Sequence, residues 1–320
     1  MSAPRRLPRR KLDGVLLLDK SIGASSNYAL QAARRLFNAE KAGHTGTLDP
    51  LATGLLPLCF GEATKFSSAL LDADKRYVAT VRLGITTDTA DAEGAVLAER
   101  PVSVSREDVI EVLLLFQGQI EQIPPMYSAL KRDGKPLYAY AREGVEVERA
   151  PRSVHVYQIG LLEWYGETFV FEVHCSKGTY VRTLAADIGE KLGCGAHLTG
   201  LRRVGIGALD VTQAHTIKAL EALDAPARDA LLLPPDALLA MLSCANLTEY
   251  DALKMRHGQA VRWVAPSGER FKVYDHYQQF MGVAQMTPDG WLQPYRLVST
   301  TNVNGVLDSV ESANPAGSVK

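Results

Sequence analysis

Residues Gly43–Gly54 read GHTGTLDPLATG. Glycines and threonines surround a single carboxylate, Asp49, and Pro50 biases that residue away from helical backbone. A carboxylate in this setting is either an ordinary turn former or a reactive group held on a fixed loop, and spacing alone leaves both open. The segment is no phosphate-cradling P-loop, because no G-K-[ST] follows and Gly43 and Gly46 stand too close together. Ala39–Leu58 as a whole, dense in Gly, Thr and Pro, reads as loop.

The flanking segments read as regular structure. Gly14–Asp19 (GVLLLD) is a short buried strand, and Ser25 or Ser26 can cap a helix over Asn27–Phe37. A helix is expected over Ala63–Leu71. Lys75–Gly84 alternates Tyr77, Ala79, Val81 and Leu83 with Val78, Thr80 and Arg82, the pattern of a half-buried strand. Thr86–Gly94 (TTDTADAEG) is an acidic loop. Ser105 and Asp108 resemble a capping box ahead of a helix over Val109–Phe116. Val154–Trp164 and Thr168–Cys175 read as strands, Tyr180–Leu192 as a helix stopped by Gly193, and His197–Leu209 as a further strand. This mixed order, with many neighbouring strands, predicts an α+β fold built on a largely antiparallel sheet.

The chain has 320 residues, with 35 Lys+Arg against 36 Asp+Glu and an apolar fraction of 46%. Disordered, collagenous and disulfide-scaffold classes are excluded, and two domains are expected. Gly207–Asp251 is acid-rich and reads as helical; from about Ala252 to Leu297 short strands suggest a small, mildly basic β-barrel. The expected division is a basic arm 1–12, a large domain 13–250, a β module 251–298 and a disordered tail 299–320. Cys59, Cys175, Cys194 and Cys244 form no C-x-x-C pair, so neither a zinc site nor a redox motif is expected. No signal peptide and no run long enough for a membrane span stand out, and cytoplasm is the expected compartment. The net charge of −1 argues at first sight against a nucleic-acid partner.

Three further segments carry chemistry-bearing residues. In Cys175–Thr183 (CSKGTYVRT), Lys177 and Arg182 are cations near a helix start, where the macrodipole disfavours them unless an anion lies opposite. In Asp74–Tyr77 (DKRY), Tyr77 falls on the apolar side of its strand and reads equally as a core aromatic. In Leu201–Gly205 (LRRVG), Arg202 and Arg203 are a surface pair or a phosphate clamp.

Taken in order, GVLLLDKSIGASS, GHTGTLDPLATG, EATKF, DKRYVATVRLG, DTADAEG, CSKGTYVRTLAADIG and LTGLRRVGIG resemble the motifs of the TruB-type tRNA pseudouridine synthases. The resemblance covers about residues 12–210. The C-terminal β module looks more loosely like the PUA domain often appended to that family, an RNA-binding module. The resemblance implies an isomerase that detaches uracil from ribose, turns it and rejoins it through carbon, with no metal or other cofactor. It implies Asp49 as the catalytic carboxylate, acting as a nucleophile or by removing a proton toward a glycal-like intermediate. Arg182 would pair with it, favouring its ionised form. Tyr77 would stack on the base and take part in proton transfer.

By the same resemblance His44 would fill the space vacated by the flipped base. Tyr180 and Leu201 would line the pocket, and Lys20, Lys65 and Arg202 would serve substrate binding. The partner would be the T stem-loop of tRNA, modified at position 55 by a monomer that needs no protein partner and no membrane. Basic residues between Lys131 and Arg152 would form a loop over the RNA, although acids are interleaved there. A local positive face is compatible with a neutral chain. The rivals are a guide-RNA-dependent pseudouridylase, a non-catalytic RNA-binding or RNA-folding protein, and a two-carboxylate glycosidase using Asp49 with Asp88 or Asp91.

Overall fold

The structure, a computed structural model, describes residues 8–128 and 130–299. The first seven residues of the basic arm and the tail from residue 300 onward lie outside the described residues.

The organising element is a nine-stranded sheet. Its strands are β1 (Gly14–Lys20), β2 (Ala42–His44), β3 (Ala52–Phe60), β4 (Lys75–Leu83), β5 (Gly118–Gln122), β6 (Arg152–Trp164), β7 (Thr168–Cys175), β8 (Ala196–Ile206) and β9 (Leu209–Asp210). The order is β1-β3-β8-β4-β7-β6-β5, with β2 on β3 and β9 on β8. Every pairing is antiparallel except β8 with β3. The fold is thus mixed α+β. The loop reading of Ala39–Leu58 is corrected here. It contains β2 and most of β3, a nine-residue strand buried at every position except Thr53. Its run Leu55–Phe60 is apolar on both faces, so no alternation marks it as a strand.

The longer helices of this unit pack on the sheet. α1 (Ser26–Leu36) is capped by Ser25, whose side chain accepts from the Tyr28 amide. It buries Ala29, Leu30 and Ala33 with Leu16, Leu18 and Phe60 of the sheet. α2 (Arg106–Leu115) begins with a reciprocal capping box: the Asp108 amide donates to Ser105 Oγ and the Ser105 amide donates to Asp108. α3 (Val181–Lys191) packs Leu184, Ala185 and Ile188 beside the inward residues Ala79, Val81 and Leu83 of β4. The helix expected over Ala63–Leu71 is a 3-10 turn, Gly61–Phe66, followed by a single α turn, Ser68–Leu71.

The chain divides into two compact units, one of residues Met1–Ala245 with Arg270–Lys272, the other of Asn246–Glu269 with the chain from Val273 on. The second unit opens with a helix, Glu249–Arg256, where short strands were expected from Ala252. Thr248 caps it by accepting from the Asp251 amide. Strands Phe280–Met286 and Trp291–Leu297 pair antiparallel, and Val261–Arg262 pairs with the second of them. Among the described residues no helix is long and apolar enough to cross a membrane.

Candidate active site

The loop between β2 and β3 carries Asp49, and nearly every residue of it is tied to the scaffold. The Thr45 amide donates to Pro57 O at 3.1 Å, the Gly23 amide to Pro50 O at 2.8 Å, and the Ala52 amide to Asp49 O at 3.0 Å. Ser26, buried at the start of α1, grips the residue before Asp49 twice. Its hydroxyl donates to Leu48 O at 2.9 Å and accepts from the Leu48 amide at 2.8 Å. Of the two serines read as possible caps, Ser25 caps α1 and Ser26 holds the loop. Gly54 (φ +95°) lies against β8, where a Cβ would meet Arg203 O at 2.3 Å, so only glycine fits this approach.

Asp49, 43% exposed, faces the buried guanidinium of Arg182, with Oδ2 to Nη2 at 3.1 Å. Arg182 sits in the first turn of α3, where its charge opposes the helix dipole. Two carboxylates offset it. Nη1 lies 3.3 Å from Oδ2 of Asp91, which is 3% exposed, and also donates to Thr89 O at 3.2 Å; Nη2 donates to Tyr127 O at 2.7 Å. Asp91 is itself committed on its other oxygen, which accepts from Thr89 Oγ1 at 2.6 Å and from the Glu93 amide at 3.0 Å. Both of its oxygens are thus engaged, one by Arg182 and one by its own turn. Asp88 is spent on the turn, accepting from the Ala95 amide at 2.8 Å. Lys177, the other cation of its segment, is a surface residue paired with Asp72.

The remaining sequence-predicted residues are placed as follows. Tyr77, half-buried, packs against the core from β4 directly across from Arg203; burial raises its pKa while Arg203 opposes the rise. Tyr180 immediately precedes α3, and burial likewise raises its pKa. Lys20 is 1% exposed and donates to Ser21 O at 3.1 Å and Ala24 O at 2.6 Å. Burial lowers its pKa, and Asp49 and Glu93 partly restore it. His44 ends β2 beside the loop with Nδ1 buried and, among the described residues, without a hydrogen-bond partner; burial and Arg203 push its pKa down, favouring the uncharged ring. Leu201 lies between Ala52 of β3 and Ala79 of β4. Arg202 is bidentate to Asp19, at 3.0 and 2.7 Å. Lys65 pairs with Glu62 at 2.7 Å on the 3-10 turn.

Sequence reading missed Ser26, Gln122 and the inward course of Arg203. Gln122, 2% exposed at the end of β5, clamps the Tyr180 backbone: the Tyr180 amide donates to Oε1 at 3.0 Å and Nε2 donates to Tyr180 O at 3.3 Å. It supplies the cap that α3 lacks from its own sequence. The signal for Arg203 was strand parity, since Arg203 and Leu201 share a face. Among the described residues no cluster of three or more His, Cys, Asp or Glu has metal-site geometry.

Fold and site define an enzyme whose partly open, arginine-held carboxylate lies close to a half-buried tyrosine on a largely antiparallel sheet. Three family models match in succession. They are the TruB family pseudouridylate synthase N-terminal domain over residues 34–181, the tRNA pseudouridylate synthase B C-terminal domain over 182–240, and the pseudouridine synthase II TruB C-terminal model over 243–298. A tRNA pseudouridine synthase B of Azoarcus sp. is 56% identical over 92% of this chain and 98% of its own. One from Chromobacterium violaceum is 53% identical over 93% and 98%. Among solved structures, a chain of a Cbf5-Nop10-Gar1 complex aligns with a TM-score of 0.69 at 26% identity, covering 88% of this chain and 84% of that one. The chain belongs to the TruB family of pseudouridine synthases.

Proposed function

We propose that this protein isomerises uridine to pseudouridine in the T loop of tRNA, at the conventional position 55, as a cytoplasmic monomer that needs neither cofactor nor protein partner. The observation that carries the reading is the Asp49–Arg182 pair on a loop tied down on both sides of the carboxylate. A glycosidic carbon that loses its base gains positive character, and an ionised carboxylate held against it supplies the stabilisation. Asp49 does this as a nucleophile at that carbon or by removing a neighbouring proton; Arg182 keeps it ionised and aimed, and Asp91 aims Arg182.

Tyr77 stacks on the extruded base, with Tyr180 and Leu201 around it. His44, neutral and with an unpartnered ring nitrogen, fills the gap left in the RNA stack. Lys20 supports the loop from below through its field at Asp49, and Arg202 and Lys65 contribute to substrate binding from the rim. The basic residues between Lys131 and Arg152 approach the RNA backbone, and the C-terminal unit serves as a PUA-like RNA-binding module. Bonds already made by Asp91 and Asp88 speak against a two-carboxylate glycosidase.

The likeness to a chain of a Cbf5 complex keeps a guide-RNA-dependent activity as the competing reading, at 26% identity against 56% for the tRNA enzyme of Azoarcus sp.. The test is incubation of unmodified tRNA with purified wild-type and Asp49→Asn protein, with the modified position mapped. Wild type is expected to yield pseudouridine at position 55 unaided, and Asp49→Asn to bind the tRNA and yield none. Product from Asp49→Asn, release of free uracil, or an absolute need for a guide RNA overturns the reading.

A further inference from the structure

Arg203 is the largest fully buried side chain described, at 2% exposure, and among the described residues no carboxylate is paired with it. A buried, unpaired cation is unfavourable unless hydrogen bonds satisfy it and the fold has a use for its charge. Its bonds go to the site. Nε donates to Leu55 O of β3 at 2.8 Å and Nη2 to Gly46 O at the start of the Asp49 loop at 3.4 Å, tying the loop to the strand that follows it. In the sheet Arg203 lies directly opposite Tyr77 of β4 on one side and Gly54 of β3 on the other. Gly54 has no side chain to interfere, and the Arg203 charge acts on Tyr77 from the neighbouring strand. Arg202, next in sequence, takes the opposite face and pairs with Asp19.

We propose that Arg203 is a positioning residue for the reaction, fixing the Gly46 turn of the catalytic loop and the Tyr77 hydroxyl together and supplying the positive charge against which that hydroxyl gives up its proton. The proposal rests on the functional reading above. In going from uridine to pseudouridine the base loses a proton from C5 and gains one at N1. A neutral phenol cannot accept the C5 proton, whereas a phenolate can. In that step the C5–H bond breaks, its electron pair restores the C5–C6 double bond, and Tyr77 becomes a phenol again. The proton Tyr77 first releases goes to solvent, and N1 takes one from solvent, so the balance is zero.

The groups facing this pair are Cys175 of β7 and Asp49 of the loop on the tyrosine side, and Lys20, His44 and Lys75 around the arginine. Of these, Asp49 and the Cys175 thiol oppose ionisation of Tyr77, as does burial, and Arg203 opposes that rise directly. Removing the Arg203 charge therefore moves the ionisation to higher pH.

The experiment measures single-turnover rates on tRNA across pH for wild type, Arg203→Met, Arg203→Lys, Tyr77→Phe and the double variant Arg203→Met/Tyr77→Phe, with RNA affinity and thermal melting of each. Arg203→Met is expected to slow the reaction about 100-fold while RNA affinity stays within about threefold. Its rising pH limb shifts to higher pH, and the double variant is no slower than Tyr77→Phe alone. Arg203→Lys retains a charge and so retains the wild-type pH profile at a reduced rate; it carries the test if Arg203→Met melts below assay temperature. An unmoved profile in Arg203→Met, or losses that add in the double variant, overturns the proposal. Wild-type protein that makes no pseudouridine overturns the functional reading and this proposal together, whereas the other outcomes overturn this proposal alone.

Discussion

The hydroxyl of Ser26 is the smallest group on which the candidate site depends, and Ser26→Ala removes it with almost no change in volume. Both partners, the Leu48 amide and carbonyl, are left unpaired at a buried position. An unsatisfied buried backbone group costs about 1–3 kcal/mol, so the loss is about 2–4 kcal/mol after the loop relaxes. Alanine is the better helix former at this first position of α1 by about 0.5 kcal/mol, which is too small to compensate. The loop keeps its ties at Thr45, Pro50 and Asp49, so the protein still folds with Leu48 unlatched. Asp49 is the next residue, and a displacement of about 1 Å is enough to lower a rate about 100-fold. Urea denaturation is expected to show a stability loss of about 2–4 kcal/mol, and single-turnover kinetics a fall in rate of about 100-fold, with tRNA affinity within about threefold. A variant as stable and as fast as wild type would refute the argument that this double bond preorganises the loop.

Three other outcomes follow from the same structure. Arg182→Met removes the cation between Asp49 and Asp91 and is expected to lower the rate at least 100-fold with little change in tRNA affinity; equal losses in both, measured by binding and turnover assays, would make Arg182 a phosphate contact. Tyr77→Leu is expected to hurt turnover strongly, and near wild-type turnover would make Tyr77 a core aromatic only. Asp187, half-buried on α3, has its pKa raised to about 6 by burial. The folded state therefore holds this proton more tightly than the unfolded chain, and stability falls as pH rises from about 4 through about 6. Partial exposure screens the effect to about 1 kcal/mol, so Asp187→Asn is expected to gain about that much at pH 7.5 and nothing at pH 4 in urea titrations.

The fold class was legible because the sheet announces itself locally. The alternation over Lys75–Leu83, the turn at Gly166 and the Ser105/Asp108 box each depend on a few neighbouring residues, and each forms where the sequence places it. β3 was not legible. A strand covered on both faces shows no period of two, and its glycine and proline mimic a loop until its neighbours are known. The helix Glu249–Arg256 was hidden for another reason: it straddles the composition change near Ala252 and has too few apolar residues to show a period.

For the site, the family resemblance implied Asp49, Tyr77 and Arg182, while their loop, strand and helix-start settings taken alone also fit a turn former, a core aromatic and a solvated charge. Which carboxylates answer Arg182 is not visible in one dimension. Asp49 lies far from it in sequence and Asp91 in an acidic loop indistinguishable from a solvated turn, and only packing of α3 on the sheet brings all three together. Sequence by itself determined the strands that alternate, the local caps at Ser25 and Ser105 and the order of motifs, since these follow from local propensity and periodicity. Tertiary structure alone decided that Ser26 grips Leu48, that Gln122 caps α3 from another strand, and that of two adjacent arginines Arg202 meets Asp19 while Arg203 turns inward. Long-range contacts create those roles, and the same side chains without them would be an unremarkable serine, a polar strand end and a surface pair.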